Sequence, residues 1–177
     1  LMSKFTKIIS SGSYLPEKIL TNKELEGIVD TTDEWITERT GIKERRVSSD
    51  DETSVDMAYQ ASIDAIDKSG LKKDEIGAIF LATCTPERKF PSTAVLLQNR
   101  LNIKNAFSVD LNAACTGFVY ALDIAKKYIE SQQVKYALVV GTEKITSLLD
   151  WTDRNTCVLF GDGAGAVSYT HLTLPTT

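Results

Sequence analysis

The sequence predicts an α/β fold built on a doubly covered, mainly parallel sheet, and three observations carry that prediction. Residues 76–84 and 136–141 are continuous apolar runs of strand length, as expected of strands covered on both faces. Helical patterns separate the strand-like runs, which indicates βαβ units with right-handed crossovers. A chain of 177 residues, 42% of them hydrophobic, can bury one ordinary core.

The elements follow in order. Residues 4–11 alternate and are β-branched before a turn at Gly12-Ser13 and Pro16, so they form a first strand. Thr21-Asn22-Lys23-Glu24 has capping-box spacing and opens a helix to about residue 29; Thr31-Thr32-Asp33-Glu34 repeats the signal and opens another that stops at Gly41. Both precede any second strand. Trp35 and Arg39, at i and i+4, share a face of that second helix, a pair an adenine and phosphates could use. On spacing alone the plainer reading is that Trp35 packs inward and Arg39 is solvated. Arg45 and Arg46 read as surface charges. Residues 53–69 form a longer helix with a stripe at Val55, Ala58, Tyr59, Ile63 and Ile66, ended by Gly70.

After the 76–84 strand, Phe90-Pro91-Ser92-Thr93 leads into a helix to about residue 101, and residues 106–111 form the next strand. Phe118, Leu122, Ala125 and Ile129 then mark a helix over 116–130. Gly161-Asp162-Gly163-Ala164-Gly165 is G-x-G-x-G, not a dinucleotide fingerprint, and a strand-like run follows it, so its glycines make a sharp turn where backbones approach closely.

Between the 106–111 strand and the helix, Asn112-Ala113-Ala114-Cys115-Thr116-Gly117 places Cys115 at the break. Unpaired N–H groups and the helix dipole favour an anion there, the form in which a thiol is nucleophilic. The small neighbours Ala113, Ala114 and Gly117 leave room for a carbonyl and for N–H groups aimed at a developing oxyanion. The plainer alternative is a small buried residue at a tight join; the flanking pattern favours the nucleophile.

A net charge of −4 gives no basic footprint for nucleic acid or an anionic membrane, so small molecules and proteins are the expected partners. Cys84, Cys115 and Cys157 form no C-x-x-C or Cys/His cluster, which points to neither a disulfide framework nor a metal site. No apolar run approaches the roughly 18 residues of a membrane span, and the first residues lack a signal-peptide core, so a cytoplasmic protein is expected.

The elbow Asn112 to Phe118 resembles the active-site signature of the β-ketoacyl-acyl-carrier-protein synthase III family, thiolase-fold condensing enzymes. Gly12-Ser13-Tyr14-Leu15-Pro16, Asp33-Glu34-Trp35-Ile36, Arg39-Thr40-Gly41-Ile42, Phe90-Pro91-Ser92, Thr152-Asp153-Arg154 and Phe160 to Gly165 look like that family's in the same order. The resemblance implies the N-terminal half of a thiolase-like layered fold over residues 1–167. It implies a Cys115 acylated by a short acyl-coenzyme A (acyl-CoA) and condensation with malonyl-acyl-carrier protein, with release of carbon dioxide and no cofactor. It further implies that Trp35 stacks on the adenine, that Arg39 and Arg154 contact the nucleotide, that Thr31 lines that site, and that Phe90 closes the acyl pocket of a homodimer partner.

The family draws a His and an Asn from its second half, and neither is placed in this chain. The only histidine, His171, lies in residues 168–177, a tail that departs from the family, looks foreign, and receives no catalytic role. The chain is therefore expected to be an inactive fragment. The alternatives are a related thiolase-fold enzyme of polyketide or hydroxymethylglutaryl-CoA type, or a non-catalytic CoA-binding module.

Overall fold

Two crossover helices set the sheet. In this computed structural model, which describes residues 5–172, β4 (Ile76–Ala82) consists only of apolar residues and glycine. Ile79 and Leu81 enter one core while Ala78 and Phe80 enter the other, so both faces of β4 are covered. α4 (Thr93–Leu101) carries the chain to β5 (Phe107–Leu111), and α5 (Gly117–Glu130) carries it back past β4 to β6 (Tyr136–Glu143). Both connections produce parallel pairs. The crossovers travel in opposite directions on opposite faces, which gives them the same hand.

The sheet as a whole is mixed, not mainly parallel, with the order β1-β7-β6-β4-β5. β7 (Gly163–Leu172) runs antiparallel to β6, and β1 (Phe5–Tyr14) runs antiparallel to β7. The reason is the connection: a parallel neighbour needs a crossover over the sheet. The stretch after β6 makes none, and its short helix α6 (Arg154–Cys157) packs into a separate apolar cluster.

α3 (Ser54–Ser69) is fixed by a capping box between Thr53 and Asp56 and stopped by Gly70 at φ 71°. It lies close on the sheet through its buried Ala58, Ala61 and Ala65. Gly12, expected in a turn, sits inside β1 instead, because a side chain there would run into the Ala61 carbonyl. Lys4, the expected start of the first strand, lies outside the described residues.

A small third cluster stands beside this layer. α2 (Asp33–Thr40) packs Ile36 against Leu25 of α1 (Asn22–Leu25) and Leu20 of β2 (Lys18–Thr21). β2 pairs antiparallel with β3 (Glu44–Val47). Neither strand was anticipated, since β3 reads Glu-Arg-Arg-Val, which looks like exposed charge, and α1 proves to be a single turn. Arg45 corrects the surface reading most sharply: it is only 6% exposed.

Asp162 ties this cluster to the sheet. Only 5% exposed, it accepts the backbone N–H and hydroxyl of Ser48 at 2.8 and 2.7 Å, and those of Thr146 at 2.9 and 2.6 Å. Gly161 beside it permits the close approach, since a Cβ there would stand 2.9 Å from the Arg46 carbonyl. Asp162→Ala should orphan two buried N–H groups and two hydroxyls. At roughly 1–3 kcal/mol for each strongly buried orphan, partly relieved by relaxation, it is expected to destabilise the full-length protein by about 3–5 kcal/mol in urea unfolding.

β7 continues without a break from Gly163 to Leu172, so the proposed boundary at 167 falls inside a strand. Ser168 and Thr170 are buried there, and Thr170 donates to the Lys135 carbonyl at 2.8 Å. The tail residues 173–177 lie outside the described residues.

Candidate active site

Three segments leave the carboxyl ends of the parallel strands, the edge where open α/β sheets hold ligands. The segment after β4 carries Phe90, that after β5 carries Cys115, and that after β6 carries Arg154 on α6.

Cys115 is presented by a strained bend. β5 ends at Leu111, whose carbonyl accepts the Thr83 N–H at 3.1 Å, and the chain tightens into a 3₁₀ turn over Ala114–Thr116 that runs into α5. Ala114 adopts φ 44°, a left-handed conformation that costs a residue with a side chain about 1–3 kcal/mol. The Thr116 N–H and hydroxyl both hold the Ala113 carbonyl, at 3.2 and 2.8 Å. Thr116 makes no side-chain cap on α5, so the first-turn N–H groups of the helix keep their pull on an anion. Gly117 lets the turn lie on the sheet: a Cβ there would be 3.1 Å from that of Ala82.

The result is an exposed Cys115 thiol, in contrast to the half-buried Cys84 and the buried Cys157. Burial, reinforced by the Glu143 carboxylate, pushes the Cys84 thiol up from its ordinary value, and burial does the same to Cys157. Both thiols are thereby held in the unreactive protonated form.

The structure brings Trp35, Arg39 and Arg154 together. Thr32 caps α2 by accepting the Trp35 N–H at 3.1 Å, and over the half-buried indole lie the Arg39 guanidinium at 4.5 Å and the Arg154 guanidinium at 4.7 Å from a ring centroid. Arg154 donates to the Asp30 carbonyl at 3.1 Å, next to Thr31, whose buried hydroxyl has no partner among the described residues. Trp35 also touches the third cluster, so the inward-packed reading is half right. Phe90 stands apart from this group, 88% exposed.

Sequence reasoning missed Glu143. This half-buried carboxylate at the end of β6 accepts the Cys84 N–H at 2.8 Å, the Cys84 thiol at 3.3 Å and the Thr85 hydroxyl at 2.6 Å, and so holds the segment after β4. Its signal was its place as the first charge after a buried strand. His171 lies on β7 opposite Thr6, at the other end of the sheet from Cys115.

The family model for 3-oxoacyl-[acyl-carrier-protein (ACP)] synthase III matches residues 109–171. A β-ketoacyl-[acyl-carrier-protein] synthase III of Xanthomonas oryzae pv. oryzae is 55% identical over 168 residues, which make up 94% of this chain and 52% of the relative. The crystal structure of 3-oxoacyl-[acyl-carrier-protein] synthase III from Aquifex aeolicus superposes with a TM-score of 0.91 at 55% identity, over 93% of this chain and 53% of that one. A priming β-ketosynthase of the R1128 polyketide pathway superposes with a TM-score of 0.94 at 39% identity, over 97% and 52%. The fold is thus thiolase-like, and the chain spans about half the length of the curated relatives it matches.

Proposed function

Since the chain belongs to the 3-oxoacyl-[acyl-carrier-protein] synthase III family, we propose that it is the Cys115-bearing, N-terminal half of an acyltransferase that starts fatty-acid synthesis. The one exposed thiol, thrown out at the carboxyl edge of the parallel strands, is the observation that carries this reading. The Cys115 thiolate attacks the carbonyl of a short acyl-CoA; the α5 amides favour the developing charge, and coenzyme A leaves as its thiol. The cysteine-bound acyl group then passes to the carbanion formed when malonyl-acyl-carrier protein loses carbon dioxide, which frees Cys115 again. Thioester and carboxylate chemistry suffice for both steps, so no resident cofactor is required.

In this reading Trp35 offers its ring to the adenine, Arg39 and Arg154 meet the phosphates, and Thr31, whose hydroxyl lacks a protein partner, lines the site. Two cations beside one aromatic platform suit a polyanionic nucleotide. In the full-length protein Trp35→Ala is expected to raise KM for acyl-CoA about tenfold, within the roughly 1–3 kcal/mol that a lost stacking partner forfeits, with kcat little changed. An unchanged KM would leave Trp35 a packing residue only.

A second copy of the chain is the proposed occupant of the β5 side. β5 is an edge strand, and Phe107, Val109 and the neighbouring Phe90 expose apolar surface there. Phe90 would then enter the acyl pocket of the partner. No described helix is long and apolar enough to cross a membrane, and we assign the protein to the cytoplasm, where acyl-CoA and carrier protein meet. Residues 1–167 form the thiolase-like half in this assignment. The unbroken β7 and the family-model match as far as residue 171 favour a foreign tail that begins beyond that point and not at residue 168. The polyketide-type reading shares every step but the second substrate, and the higher identity to fatty-acid synthases favours the first.

A further inference from the structure

The buried Arg45 has no carboxylate partner among the described residues. Its guanidinium donates instead to three acceptors on three different segments: the Leu20 carbonyl of β2 at 3.2 Å, the Asn22 side-chain oxygen of α1 at 2.9 Å, and the Val158 carbonyl just past α6 at 2.9 Å. Burial pulls the group down from its ordinary value, yet a guanidinium stays charged at neutral pH, so the fold bears the cost of a desolvated cation at this point. Such a cost without an ion pair asks for a reason.

The acceptors supply one. Asn22 passes the contact on: its amide donates to Asp33 at 2.8 Å, the first residue of α2, and to the Ile42 carbonyl at 2.7 Å, just beyond the Gly41 that ends α2. Both ends of the helix bearing Trp35 and Arg39 are therefore tied to Arg45 through one side chain. Val158 is the residue that closes α6, the helix bearing Arg154. Arg45 thus bonds directly to the arm of the clamp that bears Arg154 and, through Asn22, to the arm that bears Trp35 and Arg39, and the rigid fork of a guanidinium fixes their separation as a flexible ammonium would not.

We infer that Arg45 is a positioning residue that sets the spacing of the Trp35–Arg39–Arg154 clamp and thereby governs affinity for the nucleotide end of the acyl donor without touching it. The inference rests on the nucleotide-binding reading of that clamp. Arms moved apart forfeit the stacking contact of the adenine, worth about ten- to a hundredfold in binding.

The test compares two acyl donors in the full-length enzyme: acetyl-CoA, and the acetyl thioester of N-acetylcysteamine, which carries the same acyl group and no nucleotide. Arg45→Met should raise KM for acetyl-CoA about ten- to a hundredfold, leave kcat within about twofold and leave kcat/KM for the truncated thioester unchanged. Arg45→Lys, which keeps the charge but not the fork, should fall between this variant and the wild type. An equal loss on both donors in both variants would mean that Arg45 only holds the fold together and would overturn the proposal, as would a wild-type KM in either variant. Trp35→Ala run alongside separates the two readings. If it raises KM while the Arg45 variants do not, the positioning role fails alone; if it too leaves KM unchanged, the clamp does not bind nucleotide and both readings fall.

Discussion

Cys115→Ala in the full-length protein is expected to abolish condensation, with turnover falling about a thousandfold or more, as when a covalent nucleophile is removed. Neither of the other thiols can take its place. Cys157 is sealed in the third cluster, and Cys84 is spent on the Glu143 carboxylate, with burial raising both above the ordinary thiol range. The bend that exposes Cys115 is a backbone property of Ala113 and Ala114, so alanine at 115 should leave stability and acyl-CoA affinity close to wild type. Loss of turnover without loss of folding, checked by urea unfolding beside a carbon dioxide release assay, is the expected pair of results.

The second large effect concerns the chain on its own. The 177-residue chain is expected to release no carbon dioxide from malonyl-acyl-carrier protein under conditions where the full-length protein does. Decarboxylation needs donors aimed at the developing enolate. The one histidine available, His171, is held on β7 six positions beyond Gly165, which pairs with Gly141 at the active edge; at about 3.3 Å per residue that is roughly 20 Å from where it would be required. The same chain exposes Val119 and Tyr120 on the outer face of α5 beside Cys115. Sedimentation is expected to show self-association through this uncovered surface.

Periodicity made much of the fold legible because burial on two faces leaves an unambiguous trace. The runs at β4 and β6, the capping residue Thr21 and the stop signals Gly41 and Gly70 all stand where the pattern put them. Strand direction was not legible, since an apolar run records cover on its faces but not which neighbour arrives by crossover, and β7 arrives without one. Gly12 misled for a related reason: glycine marks both turns and close packing, and only the nearby Ala61 carbonyl distinguishes them. Arg45 was invisible because a buried charge satisfied by distant carbonyls leaves no local pattern, and Glu143 left only its place as the first charge after a buried strand. At the site, the small residues around Cys115 signalled the bend directly. The meeting of Trp35 with Arg154 joins residues more than a hundred positions apart, which no spacing rule reaches.

The central claim is that Cys115 carries the acyl group, and intact-protein and peptide mass spectrometry after incubation of the full-length protein with acetyl-CoA tests it most directly. The account predicts a single added acetyl group, on Cys115, with Cys84 and Cys157 unmodified. Acetylation of another residue with Cys115 left free would contradict it.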